Sequence, residues 1–321
     1  MTTPTPELPP IQPELPSITT WLPPIPGLHR RDPEHRYWLG DVEFPVSVTG
    51  VLSVLKSDYA MDRIEATREV WAPRGNSCHR ALELFLQMPR RLQDLTRAQS
   101  QVLQELCELL RGDHADWIRA LITHDRWSQV QVIASERPTC CLARRIAGTF
   151  DVAYLDPALP PSPLRPEWAT GPARVLADLK SLGAAVAKWR RGGARDWSEL
   201  AAVPADTAAA RLSGGHVEIR ATRSSTWDPL MPAPPLLLAA GDLAELKVSN
   251  PSTYSTAAQL GGYHTLEYHG PARNWYDYGQ TIWACPGQTT FSPLYSVEEM
   301  RLAWAGAWAT YRARADEPGF V

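Results

Sequence analysis

The order in which the hydrophobic period changes along this chain restricts its fold more than any single motif. Up to about residue 122 apolar residues recur at helical spacing, from 129 to 180 they alternate with period 2, and after 256 helix and strand patterns follow one another. Tyr37–Leu39 and Val42–Val46 read as a hairpin about Gly40-Asp41, and Ser47 and Thr49 are N-cap residue types ahead of a short helix over Val51–Leu55. Asp62–Val70 predicts a helix that stops at Pro73, and a new helix after Gly75 carries His79, Leu82, Glu83 and Leu86 on one face. Leu95–Leu110 is strongly amphipathic, and His114–Ile122 reads as one more helix. Four strands follow: Gln129–Ser135, closed by Glu136, then Cys140–Ala147, then Thr149–Leu155 with a bulge or bend at Gly148, and finally Arg174–Lys180. Thr256–Tyr268 is helical, Trp275–Ala284 a strand, and Val297–Arg314 a helix opened by the capping box Ser296 to Glu299. This order predicts an α/β fold, one mixed central sheet flanked by helices.

Composition sets the boundaries. Ten of the 30 prolines fall in the first 33 residues, so residues 1–36 read as an extended, largely disordered arm, with Ile18, Trp21, Leu22 and Ile25 available to dock it. Residues 37–321 read as one domain with an insertion at about 182–253, where an Ala-, Gly- and Pro-rich stretch holds one strand-like piece (216–222) and one helix-like piece (236–246). The longest apolar run, Leu236–Ala240, is far short of the ~20 residues of a membrane span, and no basic-then-apolar leader opens the chain. Five cysteines form no CxxC pair, which fits reduced thiols and a cytoplasmic location. The 13 tryptophans imply a sizeable core or a stacking surface.

Net charge is −3, which does not mark a nucleic-acid-binding protein as a whole, yet Lys and Arg outnumber Asp and Glu ten to four between Arg137 and Arg195. In the same region carboxylates stand at strand ends: Glu136 after the first strand, Asp151 inside Gly148-Thr-Phe-Asp151, and Asp178-Leu-Lys180 at the end of the fourth. Residues i and i+2 of a strand share a face, so Asp178 and Lys180 project together while Leu179 enters the core. Two carboxylates could hold a hard cation such as Mg²⁺, and a lysine beside them could orient a water or offset developing charge on a phosphate.

In this combination the sequence resembles the PD-(D/E)XK nucleases, in the branch of RecB-type and phage exonuclease domains. The resemblance covers residues 45–285 and rests on Val46-Ser-Val-Thr-Gly-Val-Leu, Gly75-Asn-Ser-Cys-His79, Glu136, Gly148-Thr-Phe-Asp151, Ala177-Asp178-Leu-Lys180-Ser181 and Gln259-Leu-Gly-Gly-Tyr263, in that order. It implies a restriction-endonuclease-like core and a Mg²⁺-dependent deoxyribonuclease, with Mn²⁺ able to substitute. It further implies His79, Asp151 and Asp178 as metal ligands, Glu136 and Lys180 as catalytic groups, and Gln259 and Tyr263 as supports along the strand path. End-processing of DNA in recombination, repair or phage DNA processing is the implied context. No iron–sulfur cluster is expected, since Cys285 stands alone where relatives carry three cysteines.

The interval between Lys180 and Gln259 is unusually long, and Glu245-Leu-Lys247 inside it is a second candidate pair, with Gln259 only twelve residues beyond. The cleaner strand pattern of Arg174–Lys180 favours the first pair. Lys188, Trp189, Arg190, Arg191 and Arg195 mix cations with an aromatic and are candidates for nucleic-acid contact, as are Arg144 and Arg145 more weakly. Taken singly, each residue has an ordinary explanation: a surface ion pair, a core histidine, a turn glutamate. A nuclease-like fold without catalysis, serving as a DNA-binding or scaffold subunit, is the alternative reading. Absence of P-loop, GxGxxG and GxSxG patterns leaves nucleotide and serine-hydrolase chemistry without support. The sequence sets no oligomeric state.

Overall fold

The computed structural model of the protein describes residues 21–31, 36–88, 96–182, 185–204, 207–220, 226–249 and 256–315. In chain order β1 (Leu28–Arg31), β2 (Arg36–Leu39) and β3 (Val42–Phe44) form a small antiparallel sheet, and β4 (Val46–Ser47) runs straight into α1 (Val48–Ser53). The Ser47 hydroxyl caps α1 by accepting from the Gly50 amide at 3.0 Å. Then come α2 (Asp58–Ala66), α3 (Arg68–Leu86), α4 (Arg97–Leu109), α5 (Ala115–Ile122), α6 (Arg126–Gln129), β5 (Gln131–Cys141), β6 (Ile146–Asp156) and β7 (Ala173–Ser181). The insertion contributes β8 (Ala185–Arg191), β9 (Ser198–Val203), β10 (Ala209–Ser213), β11 (His216–Arg220), β12 (Asp228–Pro232), α7 (Pro235–Ala240) and β13 (Ala244–Ser249). The chain closes with α8 (Thr256–His269), β14 (Tyr278–Cys285), β15 (Gln288–Phe291), β16 (Tyr295–Ser296) and α9 (Val297–Ala315).

The central sheet is mixed, in the order β15-β14-β7-β6-β4, with β5 on the free side of β6 and β16 on β14. β7 is parallel to β14 and antiparallel to β6. Its two faces are apolar and both are covered, as a buried sheet requires. Leu82, Leu84, Leu106, Ile118 and Leu121 of α3, α4 and α5 pack on Val152, Val175, Ala177 and Ile282. Val51, Leu260, Leu266, Met300 and Trp304 of α1, α8 and α9 pack on Ile146, Phe150 and Leu176. α8 and α9 approach closely: a Cβ on Gly261 would stand 2.0 Å from the Met300 carbonyl oxygen, so only glycine fits there. Among the described residues no helix is long and apolar enough to cross a membrane.

The mixed sheet between helical layers agrees with the pattern of periods, and several boundaries differ. α3 runs unbroken through Pro73, because a proline this near the helix start removes one backbone bond while Cys78, Ala81, Leu82 and Leu84 bury the rest of the helix. β5 continues through Glu136 to Cys141, and residues 142–145, expected as strand, form an exposed turn. Gly148 is no bulge: it pairs regularly with Thr139. The polypeptide body begins earlier than residue 37, since Leu28–Arg31 pairs with β2, Ile25 is buried and Leu22 packs on the core. Trp21 is exposed, and Ile18 lies outside the described residues. The insertion is mainly β, and residues 244–249, expected at a helix end, are a strand that pairs with β8.

Candidate active site

The site lies where the central sheet opens. On one edge of β6, Val152–Asp156 pair with β7 and Ile146–Ala147 pair with β4, and residues 148–151 between them pair with neither. Beyond Ala177, β7 continues on β14 alone, carrying Asp178, Leu179 and Lys180 away from β6. The Leu179 amide, deprived of a strand partner on that side, donates instead to the Asp151 carboxylate at 2.5 Å. Directly across β6 the register sets Glu136 opposite Asp151, between the pairs Ser135–Val152 and Arg137–Phe150. Glu136 holds φ at +45°, a conformation uncommon for a residue with a Cβ.

α3 brings His79 over this point. Its Nδ1 stands 2.9 Å from Glu136 Oε1 and 3.6 Å from Asp151 Oδ1, and the ligand atoms of the three residues lie within 4.8 Å of one another, a spacing a metal ion could bridge. From β7, Lys180 Nζ meets Asp178 Oδ2 at 2.7 Å and donates to Gln259 Oε1 at 2.9 Å. Gln259 in turn donates to the Tyr263 hydroxyl at 3.4 Å, one turn along α8. The Tyr263 ring approaches β6 so closely that a Cβ on Gly148 would be 2.8 Å from its Cε1, which is why glycine stands there. Asp178 is fully buried, whereas the His79, Glu136 and Lys180 side chains keep 31%, 24% and 31% of their surface, and these three mark the mouth.

Electrostatics show a cluster short of positive charge. Burial opposes a charged imidazole, yet the Asp151 carboxylate and the Glu136 hydrogen bond outweigh it and raise His79 to about 9. Burial pushes Asp178 up to about 6 in spite of the Lys180 ammonium, and raises Asp151 in spite of His79. Burial works against Lys180 too, but Asp178 and Asp151 more than offset it and hold the amine charged. Burial and the two aspartates lift the Tyr263 phenol well above its ordinary range. Among the described residues Asp178 Oδ1 has no hydrogen-bond donor, and Oδ2 meets only the lysine. A buried carboxylate oxygen without a donor is costly, and an oxygen-seeking divalent cation would complete it.

His79, Glu136, Asp151, Asp178, Lys180, Gln259 and Tyr263 thus come together from five elements, as the sequence suggests. The second pair does not join them. Glu245 is bound to Arg190 at 2.7 Å on the insertion sheet, and Lys247 lies over the Trp197 ring. The basic run is only partly available as well: Lys188 pairs with Glu199, Arg190 with Glu245, and Trp189 packs inside the insertion with Val217 and Leu237 instead of facing a base. Arg191 and Arg195 are exposed. Arg144 and Arg145 sit on the exposed turn after β5. Two residues escaped sequence reasoning. Lys56, just past α1, has its pKa lowered by partial burial and by the charge of nearby Lys180, and Arg74 donates from α3 to the Ser181 carbonyl at 3.2 Å. No spacing or motif marks either one.

Compared with family models and with curated proteins, the sequence matches none.

Proposed function

We propose that the protein is a metal-dependent nuclease of PD-(D/E)XK type, hydrolysing DNA phosphodiester bonds on a restriction-endonuclease-like core. One observation carries the reading: His79, Glu136 and Asp151 bring their ligand atoms within reach of one ion, and next to them the buried Asp178 carboxylate, with an oxygen that has no donor among the described residues, meets a lysine held in place by a glutamine. His79, Asp151 and Asp178 would hold the ion, with Mg²⁺ suited to the carboxylates and Mn²⁺ able to substitute. When bound, the ion supplies neutralisation of phosphate charge and acidification of water.

The rest falls to the protein. Glu136, half-buried at the mouth, is the group placed to take a proton from an attacking water. Lys180 remains an ammonium and offsets the negative charge that develops on the phosphate. Gln259 is a positioning residue: its carbonyl oxygen fixes the Lys180 ammonium, and Tyr263 fixes Gln259 in turn. The sequence resemblance is to exonuclease-type members, so the proposed role is processing of DNA ends in recombination, repair or phage DNA processing. That Lys180 faces the carboxylates supports an enzyme over a scaffold subunit.

The test is degradation of end-labelled linear and closed circular DNA with Mg²⁺, Mn²⁺ or EDTA. Metal-dependent loss of the linear substrate with circles spared is expected. Failure of the purified protein to cut any DNA while it binds metal normally would sink the proposal.

A further inference from the structure

Lys180 is the penultimate residue of β7, and the strand loses support just before it. Up to Ala177, β7 lies between β6 and β14; from Asp178 to Ser181 it pairs with β14 alone. Ser181 then leads into the insertion, whose first strand begins at Ala185. A strand end held on one side is prone to fray. Yet the ammonium it carries has to meet both Asp178 at 2.7 Å and Gln259 at 2.9 Å.

Two side chains from the helical layer supply what β6 withholds. In a strand the backbone groups of residues i and i+2 turn to the same neighbour. The Ser181 carbonyl is therefore on the side of the Leu179 amide, the side β6 has left, and Arg74 Nη2 of α3 donates to it at 3.2 Å. One residue further, the Leu182 amide donates to the Ala284 carbonyl of β14 at 2.9 Å, and the Leu182 carbonyl accepts from Trp117 Nε1 of α5 at 2.7 Å. Arg74 and Trp117 also meet each other, with the guanidinium carbon 5.7 Å from the ring centre. α3 is in contact with the strand end as well, since a Cβ on Gly75 would stand 3.5 Å from the Ser181 hydroxyl.

Arg74 bears a cost in this place. Its Nε is buried and finds no acceptor among the described residues, and a buried donor left unpaired is unfavourable. An apolar side chain of similar length would fill the space without that cost. What the arginine adds is its bond to the Ser181 carbonyl and its contact with Trp117.

We infer that Arg74 and Trp117 are positioning residues for Lys180, fastening the two carbonyls that follow it so that the ammonium stays on Asp178 and Gln259. One helix, α3, thus carries His79 over the carboxylates and also holds the strand end that bears the lysine. That Lys180 takes part in cleavage rests on the nuclease reading above, but the fastening is also tested apart from it.

Trp117→Phe keeps a ring and removes the donor, and Arg74→Met keeps the reach and removes the guanidinium. Each should lower kcat on linear DNA about tenfold with KM unchanged, the scale expected when a catalytic group is displaced by less than an ångström. Arg74→Lys, which keeps a donor for the carbonyl, should recover most of the loss. Trp127→Phe removes an indole bond of the same 2.7 Å, to the Leu121 carbonyl, and should lower the melting temperature without changing kcat. In a Lys180→Ala background neither Trp117→Phe nor Arg74→Met should slow cleavage further, because residues that act through one group are not additive. Full additivity with Lys180→Ala, or a wild-type kcat in Trp117→Phe, would overturn the inference, even if Arg74→Met failed to fold. A wild type that cuts no DNA in any metal sinks the nuclease reading alone, and limited acylation with acetic anhydride in EDTA, read by mass spectrometry, then decides. Lys180 should acylate several-fold faster in Trp117→Phe than in wild type, with Lys188 as the internal reference. An unchanged ratio would overturn the inference.

Discussion

Asp178→Asn should make the metal-free protein more stable while abolishing its function. The side chain is fully buried and its pKa lies at about 6 against an ordinary 3.8, chiefly because burial disfavours the carboxylate. A carboxyl group with a raised folded pKa is harder to ionise in the native state than in the unfolded chain. Its penalty is therefore complete above the folded pKa, shrinks as pH falls through 6, and vanishes below about 4. The difference of about two pKa units corresponds to about 3 kcal/mol at pH 7.5. Asparagine keeps the shape, stays neutral and removes that penalty. The loss of the Lys180 ion pair is already contained in the figure, since the lysine acts on the same ionisation.

For a chain of this size about 3 kcal/mol is a rise of roughly 5 °C in melting temperature. Differential scanning fluorimetry in EDTA reads it directly, and the gap between variant and wild type should close as pH drops from 7 towards 4. Saturating Mn²⁺ should reverse the ranking. At a thousand times its dissociation constant a ligand adds about 4.1 kcal/mol to the wild type, more than the advantage of about 3 kcal/mol, and the variant has lost a ligand atom. Lys180→Met supplies the opposite sign, because it leaves the buried carboxylate without its cation. A variant that melts below wild type in EDTA, with an equal Mn²⁺ shift in both, would refute the reasoning that Asp178 is a group in want of a cation.

How much of this was legible in the sequence differs from one residue to the next. Asp178 and Lys180 were readable because strand alternation places i and i+2 on one face, and Gln259 with Tyr263 because helical spacing does the same. The order of layers followed from the change of period. Glu136 was recognisable as an acid in the right place, but not as a left-handed residue inside a continuous strand, since nothing in the neighbouring residues marks that conformation. Gly148 was misread for the same reason: its neighbour Tyr263 is 115 positions away in the chain. The Glu245–Lys247 decoy shows the limit of motif reading. It has the right spacing on a strand, yet that strand pairs with β8 in the insertion and the charges are spent on Arg190 and Trp197.

The same geometry fixes four other outcomes. Because His79 carries a proton up to about pH 9 in the metal-free cluster, metal must displace that proton, so affinity measured by calorimetry should rise with pH towards 9 and lose this dependence in His79→Asn. Lys180→Ala should lower the rate of cleavage by at least about a hundredfold and Lys247→Ala should not change it, while Gln259→Ala should fall between them; a gel assay on linear DNA decides. Gly148→Ala should cost about 1–3 kcal/mol in denaturant unfolding, since its new methyl group meets the Tyr263 ring at 2.8 Å and Val48 at 3.3 Å. His264, buried among Trp275 and Tyr268, has its pKa pushed down to about 4. Stability tied to this group is present above pH 6.5 and lost as pH falls to 4, about 3 kcal/mol in all, and His264→Phe should abolish that part of the acid sensitivity in a pH series of melts.

The opened sheet explains why these carboxylates can sit together at all. In an uninterrupted ladder Asp151 and Asp178, opposite one another across β6 and β7, would be buried like charges with nothing between them. Here the ladder ends one residue earlier, at Val152 and Ala177, and the backbone donor released by that ending, the Leu179 amide, is turned onto Asp151. Opposite Glu136, where φ is positive on β5, the sense of alternation along β6 changes. Val152 and Tyr154 pack towards α3, whereas Phe150, also an even-numbered residue, packs towards α8. At this change of face Glu136 and Asp151 stand together under His79. A left-handed residue on β5 and a ladder that ends at Val152 and Ala177 thus coincide with the opening where three carboxylates, an imidazole and an ammonium meet.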